Sequence, residues 1–252
     1  MKKLTNIFLC IICMGLLAAP AMADEILSLK AGYLVLSPDG DFAVGDSGVR
    51  TKIDFNDDLG YDDSEDMYVE AGLNFGPFHL AASYMPISFS GDGTLNQTIE
   101  FNGQTYAANT DVKSDVDLDL YDVGLTWYLI NFDDLPVRLQ IGPEFCVKVV
   151  DADVSMKSDL ANESDSVTAP IPTVGARARI GLADWLSLVG RVGYLEYDSN
   201  SFLDADAQLE FSPIPLFGVF AGYRYFDLQV DESGVYIDAT FDGPYGGVMF
   251  RF

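Results

Sequence analysis

The sequence predicts an all-β fold, a closed antiparallel transmembrane β-barrel of about ten strands, with eight or twelve as the alternative even counts. Three observations predict it. Long stretches alternate apolar and polar residues with a period of two; the connections between them alternate between tight and long; and the chain ends on an amphipathic strand, Gly-Gly-Val-Met-Phe-Arg-Phe. Period two marks an extended backbone, because successive side chains of a strand point to opposite faces.

Residues 1–23 read as a cleaved export signal. Lys2 and Lys3 supply the positive start, Ile7 to Ala19 the apolar stretch, and Ala21-Met22-Ala23 a small-x-small cleavage site. Residues 24–252 read as one domain. The 13-residue apolar stretch is too short to cross a bilayer as a helix, and no later run reaches the roughly 20 apolar residues that crossing requires. Cys10 and Cys13 leave with the signal, so only Cys146 remains and no disulfide framework is available. On the polar phase of a strand, Cys146 suits a small interior filler.

Ten segments carry the alternation. Leu27 to Val35 sets Leu27, Leu29, Ala31, Tyr33 and Val35 against Ser28, Lys30 and Gly32; Met67 to Phe75 sets Met67, Val69, Ala71, Leu73 and Phe75 against Glu70, Gly72 and Asn74. Phe78 to Phe89 and Tyr121 to Leu129 follow. The strongest segment is Leu135 to Val149, whose odd positions read Leu, Val, Leu, Ile, Pro, Phe, Val, Val while the even ones include Arg138, Gln140, Gly142, Glu144 and Lys148. Pro143 brings no N–H to a ladder, so a bulge is expected there. Val174 to Leu182, Leu186 to Tyr197, Ala205 to Phe211, Phe217 to Tyr225 and Gly246 to Phe252 complete the set.

Tight links at Gly76-Pro77, Asn131 to Asp134, Ala183-Asp184 and Ser212 to Pro215 alternate with long acidic ones at 37–66, 90–120, 150–169, 198–204 and 229–243. This matches short turns on one side of a membrane and long loops on the other. Val116, Leu118 and Leu120, like Val235, Ile237, Ala239 and Phe241, alternate within the long links, so strands are expected to project beyond the bilayer. Both extensions are out of phase with the segments they join, and one-residue bulges near Leu120-Tyr121 and Gly243-Pro244 would keep their charges off lipid. Trp127 and Trp185 near tight turns, with Tyr33, Tyr84, Tyr121, Tyr194 and Tyr225 near the other ends, fit two aromatic girdles.

The chain carries 14 Lys and Arg against 39 Asp and Glu, a net charge of −25 that becomes −27 once Lys2 and Lys3 leave with the signal. So negative a chain does not seek nucleic acid. Six of the seven arginines fall on the polar phase of a strand, the seventh being Arg50 in a loop. An arginine facing the lipid midplane costs about 2–4 kcal/mol. The polar phase is therefore expected to line the lumen as an ion-pair network of Glu70, Arg138, Glu144, Lys148, Arg177, Arg179, Arg191, Asp206, Glu210, Arg224 and Arg251, since buried charge is tolerable only when paired. Periodicity alone leaves the inward face open: a soluble periplasmic barrel or sandwich that binds a ligand is the inverted alternative.

No catalytic residue is assigned. His79 is the only histidine and follows a tight turn on the polar phase, where a hydrogen-bonded interior role fits better than a Ser-His-Asp arrangement. Asp54, Asn56, Asp58, Asp62 and Glu65 put oxygen ligands at positions 1, 3, 5, 9 and 12 of a calcium-hand spacing, although the glycine, Gly60, sits at position 7 where the loop needs it at 6. A loop-bound calcium or magnesium ion is the one cofactor the sequence raises. Many of the 23 glycines, Gly72, Gly124, Gly142 and Gly175 among them, read as relief of crowding inside a small barrel.

The export signal, the stretch Asp-Phe-Asn-Asp-Asp-Leu-Gly-Tyr-Asp at 54–62, the repeated amphipathic strands and the terminal Phe252 together resemble a family of small proteobacterial outer-membrane β-barrel proteins of unassigned role, and are more distantly similar to OmpW-like and OmpA-like barrels. The resemblance implies residence in the outer membrane of a Gram-negative bacterium. It implies contact with outer-membrane lipid and lipopolysaccharide, and insertion by the barrel-assembly machinery through a terminal signal on Val248, Phe250 and Phe252. The expected function is non-enzymatic: a structural barrel or a narrow, porin-like passive pore for small solutes. A lipid-modifying outer-membrane enzyme is the rival from another class.

Overall fold

The computed structural model describes residues 26–44, 52–101, 104–132, 138–158, 162–232 and 235–252. The expected export signal and Arg50 lie outside the described residues. Fourteen strands form in chain order: β1 (Leu27–Val44), β2 (Ile53–Asp54), β3 (Ser64–Phe75), β4 (Phe78–Thr94), β5 (Ile99–Phe101), β6 (Gln104–Tyr106), β7 (Asp111–Trp127), β8 (Ile130–Phe132), β9 (Arg138–Lys157), β10 (Asn162–Ala183), β11 (Leu186–Tyr197), β12 (Asn200–Ile214), β13 (Phe217–Glu232) and β14 (Val235–Arg251).

Ten of them, β1, β3, β4, β7 and β9 to β14, make one antiparallel sheet that closes on itself, because β14 pairs back onto β1 and β9 pairs with both β7 and β10. Closure leaves no sheet edge in hydrocarbon, where an unpaired amide has no partner. β2 adds to β1, β8 adds to β9, and β5 with β6 forms a separate hairpin. The even count brings the start of β1 and the end of β14 to the tight-turn end, where Ile26 N–H donates to the Phe252 carbonyl at 2.8 Å. Gly76 makes its tight turn at φ 59°, a backbone state glycine adopts without a Cβ penalty.

Each of the ten predicted segments coincides with a barrel strand, although Leu135 to Val137 lie outside the described residues and Tyr128 and Leu129 fall beyond the end of β7, and most strands run further than the alternation alone indicated. β10 has 22 residues and β9 has 20. The apolar phase faces outward: Phe145, Val147, Val174, Val192, Leu209, Val219 and Phe250 are exposed, while Arg191, Glu144 and Lys148 are buried. This excludes the soluble inverted arrangement. On β9 the outward apolar run extends from Leu139 to Val149; ten steps of about 3.3 Å at a tilt of about 40° give a belt about 25 Å tall, the height of the hydrocarbon layer. Trp127, Trp185, Tyr33, Tyr121 and Tyr194 stand exposed at the two margins of this belt.

The bulges expected at Leu120-Tyr121 and Gly243-Pro244 do not form. β4 pairs with β7 from Phe78↔Trp127 to Thr94↔Asp111, and β1 with β14 from Ser28↔Arg251 to Val44↔Val235, without a register shift past Leu120-Tyr121 or Gly243-Pro244. The faces keep their sides and the environment changes instead. Above the belt Asp115, Asp117 and Asp119 still point outward, into water, while Leu118 and Leu120 point inward. Within the belt the same outward face carries Val123 and Leu125 and the inward one Asp122. No charge meets lipid, so no bulge is needed.

At Pro143, β9 also runs on unshifted against β10. The extra residue lies on the partner side, where the step from Thr126 to Ile130 faces the shorter step from Glu144 to Ile141. Gly142 permits this approach, because a Cβ there would stand 2.0 Å from the Trp127 carbonyl oxygen.

Candidate functional site

The lumen has two layers. The one nearer the tight turns is charged. Lys30 on β1 reaches Glu70 on β3 at 3.1 Å and Glu210 on β12 at 3.0 Å, and donates to Gln208 Oε1 at 3.2 Å. Glu210 also takes Arg179 at 2.9 Å and Arg251 at 2.6 Å. Asp204 collects Lys148 at 2.6 Å, Arg224 at 3.0 Å and Arg191 at 3.3 Å. Asp122 pairs with Lys148 and, at 3.4 Å, with Arg191, whose Nε lies 3.7 Å from Glu144 and 3.8 Å from Asp206. Thr126 donates to Glu144 at 2.6 Å and Tyr68 to Glu70 at 2.5 Å. Every barrel strand except β4 contributes a charge, so the pairs tie the wall together across its diameter.

Of the predicted network, the structure gathers all members but one into this layer. Arg138 instead pairs with Asp184 at 2.9 Å at the tight-turn rim, where both are exposed. Sequence reasoning missed three central members, Lys30, Asp122 and Asp204. Lys30 was visible on the polar phase of its strand. Asp122 and Asp204 sit where the alternation is weakest, beside the change of environment. Cys146 is buried against Asp122, consistent with a filler. His79 is buried on β4, its Nδ1 2.6 Å from Asn74 Oδ1 and its ring 6.4 Å from that of Tyr128.

The layer toward the long loops is apolar. Leu34, Leu36, Met85, Ile87, Phe89, Leu120, Phe202 and Phe226 face inward. A cork fills the space between them: residues 52–63 fold into the mouth and place Ile53, Phe55, Leu59 and Tyr61 in the core. Phe55 stacks on Phe42 at 5.9 Å and on Phe241 at 6.4 Å, and Tyr61 packs 6.3 Å from Phe89 with its hydroxyl 2.6 Å from Ser114 Oγ. Burial pushes the Tyr61 phenol up to about 12. The β5–β6 hairpin closes over this with Ile99 and Tyr106, whose hydroxyl donates to the Met156 carbonyl at 3.1 Å.

The acidic residues read as calcium ligands shape the cork. Asp54 Oδ1 accepts the amides of Asn56 at 2.9 Å and Asp57 at 2.8 Å, while Asp58 accepts the amides of Asp54 at 3.0 Å and Asn96 at 3.2 Å. Asp62 lies just before β3 and Glu65 is its second residue, paired with Val35 of β1, and among the described residues no group of three or more acidic, histidine or cysteine side chains is placed to hold a metal. Val248 and Phe250 share the outward face of β14 with Phe252 beyond it, while Met249 is buried inside.

No protein-family model and no curated protein matches the chain. Among solved structures it is similar to the outer-membrane protease OmpT of Escherichia coli, with a TM-score of 0.60 and 9% identity over 92% of this chain and 99% of that one. The translocator domain of the autotransporter NalP from Neisseria meningitidis aligns at a TM-score of 0.46 and 12% identity, over 100% and 96% of the two chains. Ail, the attachment invasion locus protein of Yersinia pestis, aligns at 0.36 and 13%, over 91% and 100%.

A closed ten-stranded sheet with an apolar outer belt and this likeness defines an integral β-barrel of the outer-membrane class.

Proposed function

We propose that the protein is a non-enzymatic, sealed outer-membrane barrel that strengthens the membrane and presents an acidic rim outside the cell, rather than a passive pore. The observation that carries this reading is the doubly closed lumen, an aromatic cork at one level and a cross-wall ion-pair layer at the next. The only histidine faces Asn74 and Tyr128 near the tight turns, which supports a non-enzymatic role even though the similar OmpT is a protease. Above the belt, Asp117 stands directly across from Asp153 and Asp119 from Asp151 on the outer face. Like charges so placed repel, which favours divalent cations and the lipopolysaccharide they bridge as the partners of the rim. The outward terminal face of Val248, Phe250 and Phe252 supports recognition by the barrel-assembly machinery.

Planar-bilayer recording tests the sealed state. The expected trace is silent at moderate voltage, and a variant lacking the cork residues 52–63 stays silent too because the ion pairs remain. Steady ohmic steps from the unmodified barrel would overturn the proposal in favour of a pore.

A further inference from the structure

Among the described residues, one buried cation of the charged layer has no carboxylate partner. Arg177 is 4% exposed, its Nε makes no hydrogen bond, and no described carboxylate lies within ion-pairing distance of its guanidinium. Tyr128 acts on it most strongly, and the two carboxylates that follow are otherwise committed: Glu70 to Lys30 and Tyr68, Glu144 to Arg191 and Thr126. Arg191, itself a cation, stands directly across the ladder from it.

His79 neighbours the same charges and does not neutralise Arg177. With the Nδ1 proton assigned to the Asn74 bond, its unpartnered Nε2 is a bare acceptor and brings no charge. A buried, uncompensated charge is among the most expensive features a folded chain can carry, and water solvates it without neutralising it.

We propose that the lumen binds one small monovalent anion, of the chloride type, against the Arg177 guanidinium. One negative charge matches the one unpaired guanidinium, whereas a divalent oxyanion would bring a second negative charge with no cation to meet it. A spherical ion also needs no oriented set of donors, and the Nε–H of Arg177 supplies one. Entry is from the tight-turn mouth, since Arg179, one inward position nearer the Ala183–Leu186 turn, keeps 23% of its side chain exposed and Arg251 keeps 13%. The proposal holds whether or not the barrel conducts, because the ion is a fixed component of the wall.

Urea unfolding of the full barrel in detergent, followed by tryptophan fluorescence at constant ionic strength, tests it as sodium chloride replaces sodium gluconate. The midpoint should rise with chloride and level off; at ten times the dissociation constant the folded-to-unfolded ratio rises about elevenfold. Arg177→Gln should remove the rise and the exposed control Lys113→Gln should keep it. A flat response of the native barrel overturns the proposal, as does an Arg177→Gln barrel that still responds. Should that variant fail to fold, bromide-soaked crystals of the native protein decide: an anomalous peak beside Arg177 supports the site, and peaks only elsewhere, or none, refute it.

Discussion

Replacing Asp204 by asparagine probes the hub of the charged layer. The carboxylate is buried and holds three cations, Lys148 at 2.6 Å, Arg224 at 3.0 Å and Arg191 at 3.3 Å. Two of the three keep other partners after the change: Lys148 retains Asp122, and Arg191 retains Asp122, Glu144 and Asp206. Arg224, 2% exposed, has Asp204 as its ion-pair partner among the described residues and is left stranded. Stranding one buried charge costs about 3–5 kcal/mol, and the asparagine carbonyl returns about 1 kcal/mol as a hydrogen bond. The expected loss is therefore about 2–4 kcal/mol. Reversible urea unfolding in detergent micelles reads it as a lower midpoint at unchanged slope, and the unheated electrophoretic band reads it as earlier loss of the compact form. Adding Arg224→Met should restore part of the loss, because the stranded charge is gone. A change below about 1 kcal/mol, or a double variant weaker than the additive sum, would refute the hub.

Three further outcomes follow from the layering. Phe145→Arg, in the middle of the outer belt, should cost about 2–4 kcal/mol in the same unfolding assay, whereas Asp153→Arg above the belt should cost less than about 0.5 kcal/mol; equal costs would mean the belt is misplaced. Phe55→Ala removes the ring that stacks between Phe42 and Phe241 and should loosen the cork by about 3–5 kcal/mol, read as faster proteolysis within 52–63 while the heat-dependent band shift persists. Tyr61 supplies a pH signature. Its phenol is held neutral, with its pKa raised from 10.0 to about 12, so its contribution is complete below pH 10 and is lost as the pH rises toward about 12. Ultraviolet titration should show one late-ionising tyrosine that Tyr61→Phe deletes; a titration identical in both proteins would contradict this burial.

The barrel was legible because its signal is repeated. Nine of the ten segments show one charge-free face and the tenth, 186–197, breaks it only at Glu196 near its end, and an arginine facing lipid is costly enough that Arg191 or Arg224 alone nearly fixes the register. What escaped the alternation were features set by depth or by contacts distant in sequence. At Leu120-Tyr121 the apolar residues change phase, which on a single environment reads as a bulge; only a sheet that leaves the bilayer lets both phases be correct. The cork was hidden for a related reason. Asp54 to Asp63 is dominated by carboxylates, and the four apolar residues that fill the mouth, Ile53, Phe55, Leu59 and Tyr61, acquire meaning once Phe42, Phe89 and Phe241 are brought above them from three other strands. Asp204 was overlooked because its partners Lys148, Arg191 and Arg224 lie on three strands whose neighbourhood is settled only by closure.

The unbroken ladder through the change of polarity also sets how high the molecule floats. Rising by one residue pair would lift Val149 into water and draw Trp127 and Trp185 up into oil; sinking by one would drown Asp119 and Asp151 in it. Wall and interior switch character at nearly the same height, so neither error is softened by the other. When the surrounding lipid is thinner or thicker than this waterline allows, the lipid has to stretch or compress, and the protein keeps its draught.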